Sequence, residues 1–161
     1  MVHHLCLIRA DKDGWTNLAL VIDCHTRELL GWHLSRTGKE TTAASALEHA
    51  LISRFGTLGR VDRAFLLRSD NGLVCTSRHH TALVRSYGLK QEFITPHCPQ
   101  QNGMVERIIR TLKEQCVHRH RFESIQCAAR TIGDRIQFYK TGRPHQALAM
   151  RTPAEAFRST T

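Results

Sequence analysis

The chain has 161 residues, of which 41% are hydrophobic and 23% charged, enough to close a core within one ordinary domain. That balance excludes disordered, collagen-like and disulfide-scaffold chains. Twenty-three Lys and Arg against fourteen Asp and Glu leave a formal charge of +9, which points to a polyanionic partner such as nucleic acid. The longest aliphatic run, Leu18 to Ile22, is far short of the twenty or so residues that span a bilayer, so no membrane partner is expected. The first residues lack the basic start and long apolar stretch of a signal peptide, which places the expected location in the cytoplasm. Six cysteines without a CxxC pair are expected to be reduced thiols. Neither His79-His80 nor His118-x-His120 stands near two cysteines at zinc-finger spacing.

In chain order, Leu5 to Ile8 reads as a short strand and Asp11-Lys12-Asp13-Gly14 as a turn. Leu18 to Asp23 is a buried strand that completes a hairpin, and Leu29 to Leu34 is a third strand. Between Glu40 and Phe55, Ala44, Leu47, Leu51 and Phe55 recur at helical intervals and Gly56 follows, so an amphipathic helix is predicted. Ala64 to Leu67 has no polar alternation, as suits a strand covered on both faces. It runs directly into Arg68-Ser69-Asp70-Asn71-Gly72. A second helix is predicted from Ser77 to Tyr87, and a strand from Leu89 to Ile94. Pro96 to Gly103 is polar and reads as an exposed loop that includes His97 and Cys98. A long helix follows with Val105, Ile109, Leu112 and Cys116 on its apolar face, and a last helix covers Ser124 to Tyr139. No repeat or linker interrupts the chain. Strands, helix, strand, helix, strand and helices in this order predict one α/β domain over 1–161, a mixed sheet flanked by helices. Trp15 and Trp32 are expected to pack beside the hairpin.

Two carboxylates stand where chemistry is placed. Asp70 closes a buried strand, at the carboxyl end of the sheet where open α/β folds hold ligands. Glu106 lies one turn inside a helix, and Glu106, Arg110 and Lys113 at i, i+4 and i+7 share a helical face. As a solvated face, that row is an ordinary ion pair with a neighbour. As a functional face, it is a metal-binding carboxylate beside cations that hold a nucleic-acid backbone. Arg119 and Arg121, with His118 and His120, form a second basic patch suited to DNA or to plain solvation.

Three separate segments, Leu67 to Gly72, Tyr87 to Pro96 and Cys98 to Glu106, resemble the second and third acidic motifs of retroviral-type integrases and bacterial insertion-sequence transposases. Thirty-five residues lie between Asp70 and Glu106, the interval of that family. Arg143-Pro144-His145-Gln146-Ala147-Leu148 and then Thr152-Pro153-Ala154-Glu155-Ala156 are similar to the closing motif of the insertion-sequence branch. The resemblance implies a ribonuclease-H-like fold and an enzyme that cuts and joins DNA strands at mobile-element ends, using three acidic residues that hold two Mg²⁺ (or Mn²⁺) ions. It implies Asp70 as the second catalytic metal ligand, Glu106 as the third, and Arg110 and Lys113 as DNA contacts. A homo-oligomer acting on element ends and target DNA is the implied assembly. In the family the first Asp opens an Asp-x-Thr-x-aliphatic pattern on the first strand. Aligned with Met1-Val2-His3-His4-Leu5, that pattern sets Met1 where the Asp stands, so the start of the first strand and one ligand are expected to be missing. The chain is therefore expected to be the catalytic-core part of a transposase, either impaired in catalysis or acting as a DNA-binding, inhibitory fragment.

Overall fold

The structure, a computed structural model, describes residues 1–62, 65–95 and 103–159. Its sheet is built from β1 (Val2–Ala10), β2 (Gly14–Ile22), β3 (Leu29–Ser35), β4 (Phe65–Ser69) and β5 (Leu89–Phe93), in the order β3-β2-β1-β4-β5. β1 runs antiparallel to β2 and parallel to β4, and β5 is parallel to β4, so the sheet is mixed as the element order predicts. Among the described residues six α-helices accompany it: α1 (Glu40–Phe55), α2 (Leu73–Thr76), α3 (Arg78–Ser86), α4 (Gly103–Gln115), α5 (Ile125–Thr141) and α6 (Pro153–Arg158). No helix among the described residues is long and apolar enough to cross a membrane.

The first hairpin is longer than the Leu5 to Ile8 segment suggests, because β1 pairs with β2 at every position from Val2 with Ile22 to Ala10 with Gly14. β1 is thus paired from Val2 onward. The Asp11–Asp13 turn is also anchored at a distance. The Asp11 and Lys12 amides donate to the Phe122 and Glu123 carbonyls, and Asp13 accepts the Ile125 amide at 2.6 Å. That amide first, and the Arg36 guanidinium next, hold the Asp13 carboxyl below the usual carboxylate range.

Alternation along the strands divides the core in two. Val2, Ile8 and Ala10 of β1 and Leu18, Leu20 and Ile22 of β2 face α4 and α5, where Val105, Ile109, Leu112, Ile132 and Ile136 complete the larger cluster. Ala19 and Val21 point the other way, onto Ala46 and Ala50 of α1, with Met1 and Leu5 packed beside them. Leu47, Leu51, Leu67, Val84 and Leu89 continue that second layer over β4 and β5. Local caps hold the helix ends: Ser77 accepts the His80 amide at α3, Ser124 accepts the Cys127 amide at α5, and Thr152 with Glu155 closes a capping box at α6. Pro153 sits in the first turn of α6, where a missing amide hydrogen costs nothing.

α1 lies against β3 at Gly31, where an added Cβ would collide with the Ala46 carbonyl oxygen and the Ala50 amide nitrogen. Because both obstacles are backbone, Gly31→Ala should push α1 off the sheet and lower unfolding stability by about 1–3 kcal/mol. A urea midpoint unchanged from wild type would show that α1 does not make this contact.

Candidate functional site

Asp70 follows β4 directly, and the turn after it fixes the side chain. The Asp70 Oδ1 accepts the Gly72 amide at 3.0 Å, while Asn71 donates through Nδ2 to the Ile94 carbonyl at 2.7 Å. A Cβ at position 72 would stand 2.9 Å from Asp70 Oδ1, so glycine is what allows the amide to come this close. Ile94 in turn donates its amide to the Ser69 carbonyl, tying the turn to the end of β5.

Glu106 comes from the first turn of α4 and is exposed, with Arg110 one turn on, also exposed, and Lys113 half-buried. Among the described residues neither Glu106 nor Arg110 has an ion-pair partner. The apolar side of α4, Val105, Ile108, Ile109 and Leu112, is buried on the sheet, and this holds the Glu106 side at the sheet's edge.

The residue that joins these two carboxylates is His4. Its imidazole is pushed below its ordinary value first by burial. Asp70 and Glu106 draw it upward and Lys113 pushes it down, so all three charges lie within electrostatic reach of the ring. His4 Nδ1 is buried and has no hydrogen-bond partner. The setting of the ring follows from strand alternation: even-numbered β1 residues, with Val2, Cys6 and Ile8 among them, belong to the α4 and α5 side. Met1 lies elsewhere, its amine donating to the Leu66 carbonyl and its side chain packed toward α1. Asp70 and Glu106 act on His4, three residues beyond Met1, which favours His4-Leu5-Cys6-Leu7-Ile8 over Met1-Val2-His3-His4-Leu5 as the counterpart of the Asp-x-Thr-x-aliphatic segment. The signal was present in the sequence, since counting back from the Asp11–Gly14 turn by twos marks position 4 as facing the later helices.

Beyond Lys113 the site opens into a groove of about 540 Å³ lined by residues that include Ile8, Arg9, Asp11, Trp15, Lys113, His118 and Arg121. Of the four cations singled out for DNA, Lys113 and Arg121 line this groove. Arg121 also pairs with Asp11 at 2.8 Å. Arg119 turns back to donate to the Glu114 carbonyl, and Arg110 stands outside the groove lining. Trp15 does not pack as expected but is 61% exposed in the groove, because the second position of β2 extends past the core. Trp32 does pack, half-buried against the larger cluster and Gly133. Asp23 is occupied structurally, accepting from Arg54 at 3.0 Å and from the His25 amide at 2.8 Å. His97 and Cys98, in the loop before Glu106, lie outside the described residues.

Residues 3–99 match the family described as Integrase core domain, and residues 87–153 match a second family of the same description. The chain belongs to the integrase core domain family. It is 30% identical over 144 residues, 88% of this chain and 73% of the relative, to an uncharacterized protein of insertion element IS136 from Agrobacterium fabrum. It is 29% identical over 130 residues to the transposase InsF for insertion sequence IS3A of Escherichia coli, covering 81% of this chain and 43% of that protein. The catalytic core domain of BIV integrase superposes with a TM-score of 0.66 at 19% identity, over 99% of this chain and 94% of that one. The HTLV-2 integrase catalytic core domain in complex with magnesium, in its trimeric form, gives 0.73 at 13% identity, over 97% and 93%. These cores have the ribonuclease-H-like fold, and this chain shares it.

If His4 shares one site with Asp70 and Lys113, its titration reports both. Asp70→Asn should move the His4 imidazole further down and Lys113→Met should move it up, read by NMR in metal-free buffer. A His4 titration that ignores both substitutions would place the ring outside the site.

Proposed function

We propose that this chain is the integrase-core portion of an insertion-sequence transposase, binding DNA at mobile-element ends and, with a complete acidic set, cutting and joining its strands. The observation that carries this reading is that Asp70, Glu106 and Lys113, from a strand end and a helix, all act electrostatically on His4 of the central strand, in a chain of the integrase core family. Family membership alone does not fix chemistry, whereas two carboxylates and a cation converging at the carboxyl edge of the sheet form a site suited to phosphodiester chemistry.

In such chemistry a pair of Mg²⁺ or Mn²⁺ ions polarises the phosphate and stabilises the attacking and leaving oxygens. The donor set here does not fit that pair. Its third member is an imidazole, whose single nitrogen donor cannot bridge two hard cations as a carboxylate does, and Mg²⁺ prefers oxygen ligands. The chain's own residues nonetheless perform the remaining tasks. Asp70 and Glu106 supply the negative charge, Lys113 and Arg121 attract the DNA backbone along the groove, and Trp15 offers an exposed ring beside it. Strand cleavage is accordingly impaired in this chain, and His4 is the cause.

A second reading, a non-catalytic DNA-binding protein that pairs with intact relatives and inhibits them, rests on the same imidazole. Two forms of the chain separate the readings. His4→Asp should raise Mg²⁺-dependent nicking of DNA carrying the element's own ends by about 10–100-fold or more. Asp70→Asn in that background should abolish the gain. No gain with His4→Asp would leave the inhibitory reading standing.

Both readings require DNA binding. Affinity should fall steeply with salt, and Lys113→Ala should weaken it on all sequences alike while reducing the slope of log K against log salt by about one. Binding that is insensitive to salt would remove DNA as the groove's ligand. We further propose that the working form is an oligomer and that it acts on DNA in the bacterial cytoplasm. The residues 1–161 form a single core domain in this reading.

A further inference from the structure

On the opposite side of β1 from His4, three potential metal ligands meet out of solvent. His3 of β1 is 1% exposed, Cys75 of α2 is 1% exposed, and His80 of α3 is fully buried. One ligand atom from each, two imidazole nitrogens and the thiol sulfur, lie within 4.8 Å of one another. The His3 and His80 rings stack with centroids 5.4 Å apart.

Three imidazole nitrogens of this cluster lack partners, while the Cys75 thiol lies beside the Asp70 carboxylate and the Ser69 hydroxyl. Neither nitrogen of His80 is hydrogen-bonded and His3 Nε2 is not, while His3 Nδ1 meets only the Cys75 sulfur, at 3.9 Å. Buried imidazole nitrogens are ordinarily satisfied, so three without a partner in one place mark this cluster as able to take a ligand. The backbone fixes each ligand independently. His3 follows from the β1 register, the Cys75 carbonyl accepts Gln91 Nε2 at 2.9 Å, and the His80 amide is held by the Ser77 cap. The three are thus brought together by the fold rather than by their own attraction.

We propose that His3, Cys75 and His80 bind one Zn²⁺ ion in a buried site that adjoins the Asp70 carboxylate without using it as a ligand. Two imidazoles and a thiolate suit a borderline-soft tetrahedral ion and not Mg²⁺. Zn–N and Zn–S bonds of about 2.0–2.3 Å set neighbouring donors roughly 3.5 Å apart, so side-chain rotations closing the cluster by about an ångström complete the geometry. Binding takes Cys75 as thiolate and releases its proton to solvent, and a water molecule fills the fourth position. The ion would join β1, α2 and α3 immediately behind Asp70. The proposal does not depend on the chain's being a transposase.

Cobalt reports the site directly. Metal-free chain titrated with Co²⁺ should take one equivalent with the visible absorption of a tetrahedral ion and a thiolate-to-cobalt charge-transfer band, both erased by one equivalent of Zn²⁺. Glu106→Gln should keep both features. Cys75→Ser should lose the charge-transfer band, and His80→Phe, which fills the space with an apolar ring, should fold by circular dichroism yet bind no cobalt there. Zn²⁺ should raise the thermal midpoint of wild type and Glu106→Gln but not of His80→Phe. A cobalt spectrum without the thiolate band, a band that survives in His80→Phe, or metal binding lost with Glu106→Gln would overturn the proposal.

Discussion

β1 is hydrogen-bonded to β2 along its whole length and lies third among five strands, so a slip of one residue would turn every one of its side chains to the opposite face. Everything at the functional end of the molecule depends on that register. It sends His4 toward α4 and its carboxylate, and His3 toward α3 and its imidazole, although the two are neighbours in the chain. The register is itself secured far from the site. The Asp11–Asp13 turn is clamped to residues 122–125 by two backbone hydrogen bonds and by Asp13, so the hairpin cannot slide without breaking contacts with the start of α5.

The two faces of the sheet carry different duties. The side covered by α4 and α5 holds the larger apolar cluster and, at its edge, the carboxylates and the basic groove. The other side, under α1 and α3, is packed closely enough that Gly31 admits no side chain. Asp70 stands between them, at the end of a strand whose neighbours differ on its two sides. Its turn geometry is set by Gly72 and Asn71, and its carboxylate lies beside the Cys75 thiol. That shared position gives the buried cluster a route to influence the acidic site.

A histidine at the first acidic position alters the chemistry more than the fold. The imidazole is partly buried within electrostatic reach of Asp70 and Glu106, and β1 around it is paired with β2 at every position. The difference is one of charge: an imidazole stands with two carboxylates near Lys113, and an imidazole does not bridge two hard cations as a carboxylate can. The cations along the groove, Lys113 and Arg121 among them, are present whatever residue stands at position 4. In the proposed reading, the basic groove and the acidic site are therefore separable.

Much of this was written in the order of residues. The period of α1, the apolar face of α4, the caps at Ser77 and Thr152, and the interval from Asp70 to Glu106 are local patterns, and local patterns survive in a linear reading because helical and strand periodicity are set by nearest neighbours. The identity of the β1 site residue was within reach too, but it required the hairpin register, and a motif aligned by residue type led to Met1 because His4 is the wrong type. The exposure of Trp15, the turning back of Arg119 and the meeting of His3 with Cys75 and His80 belong to the tertiary structure alone. Cys75 and His3 are separated by more than seventy residues. No spacing rule joins a strand to two later helices; only packing across the sheet does, since it fixes which face each side chain enters and what waits there.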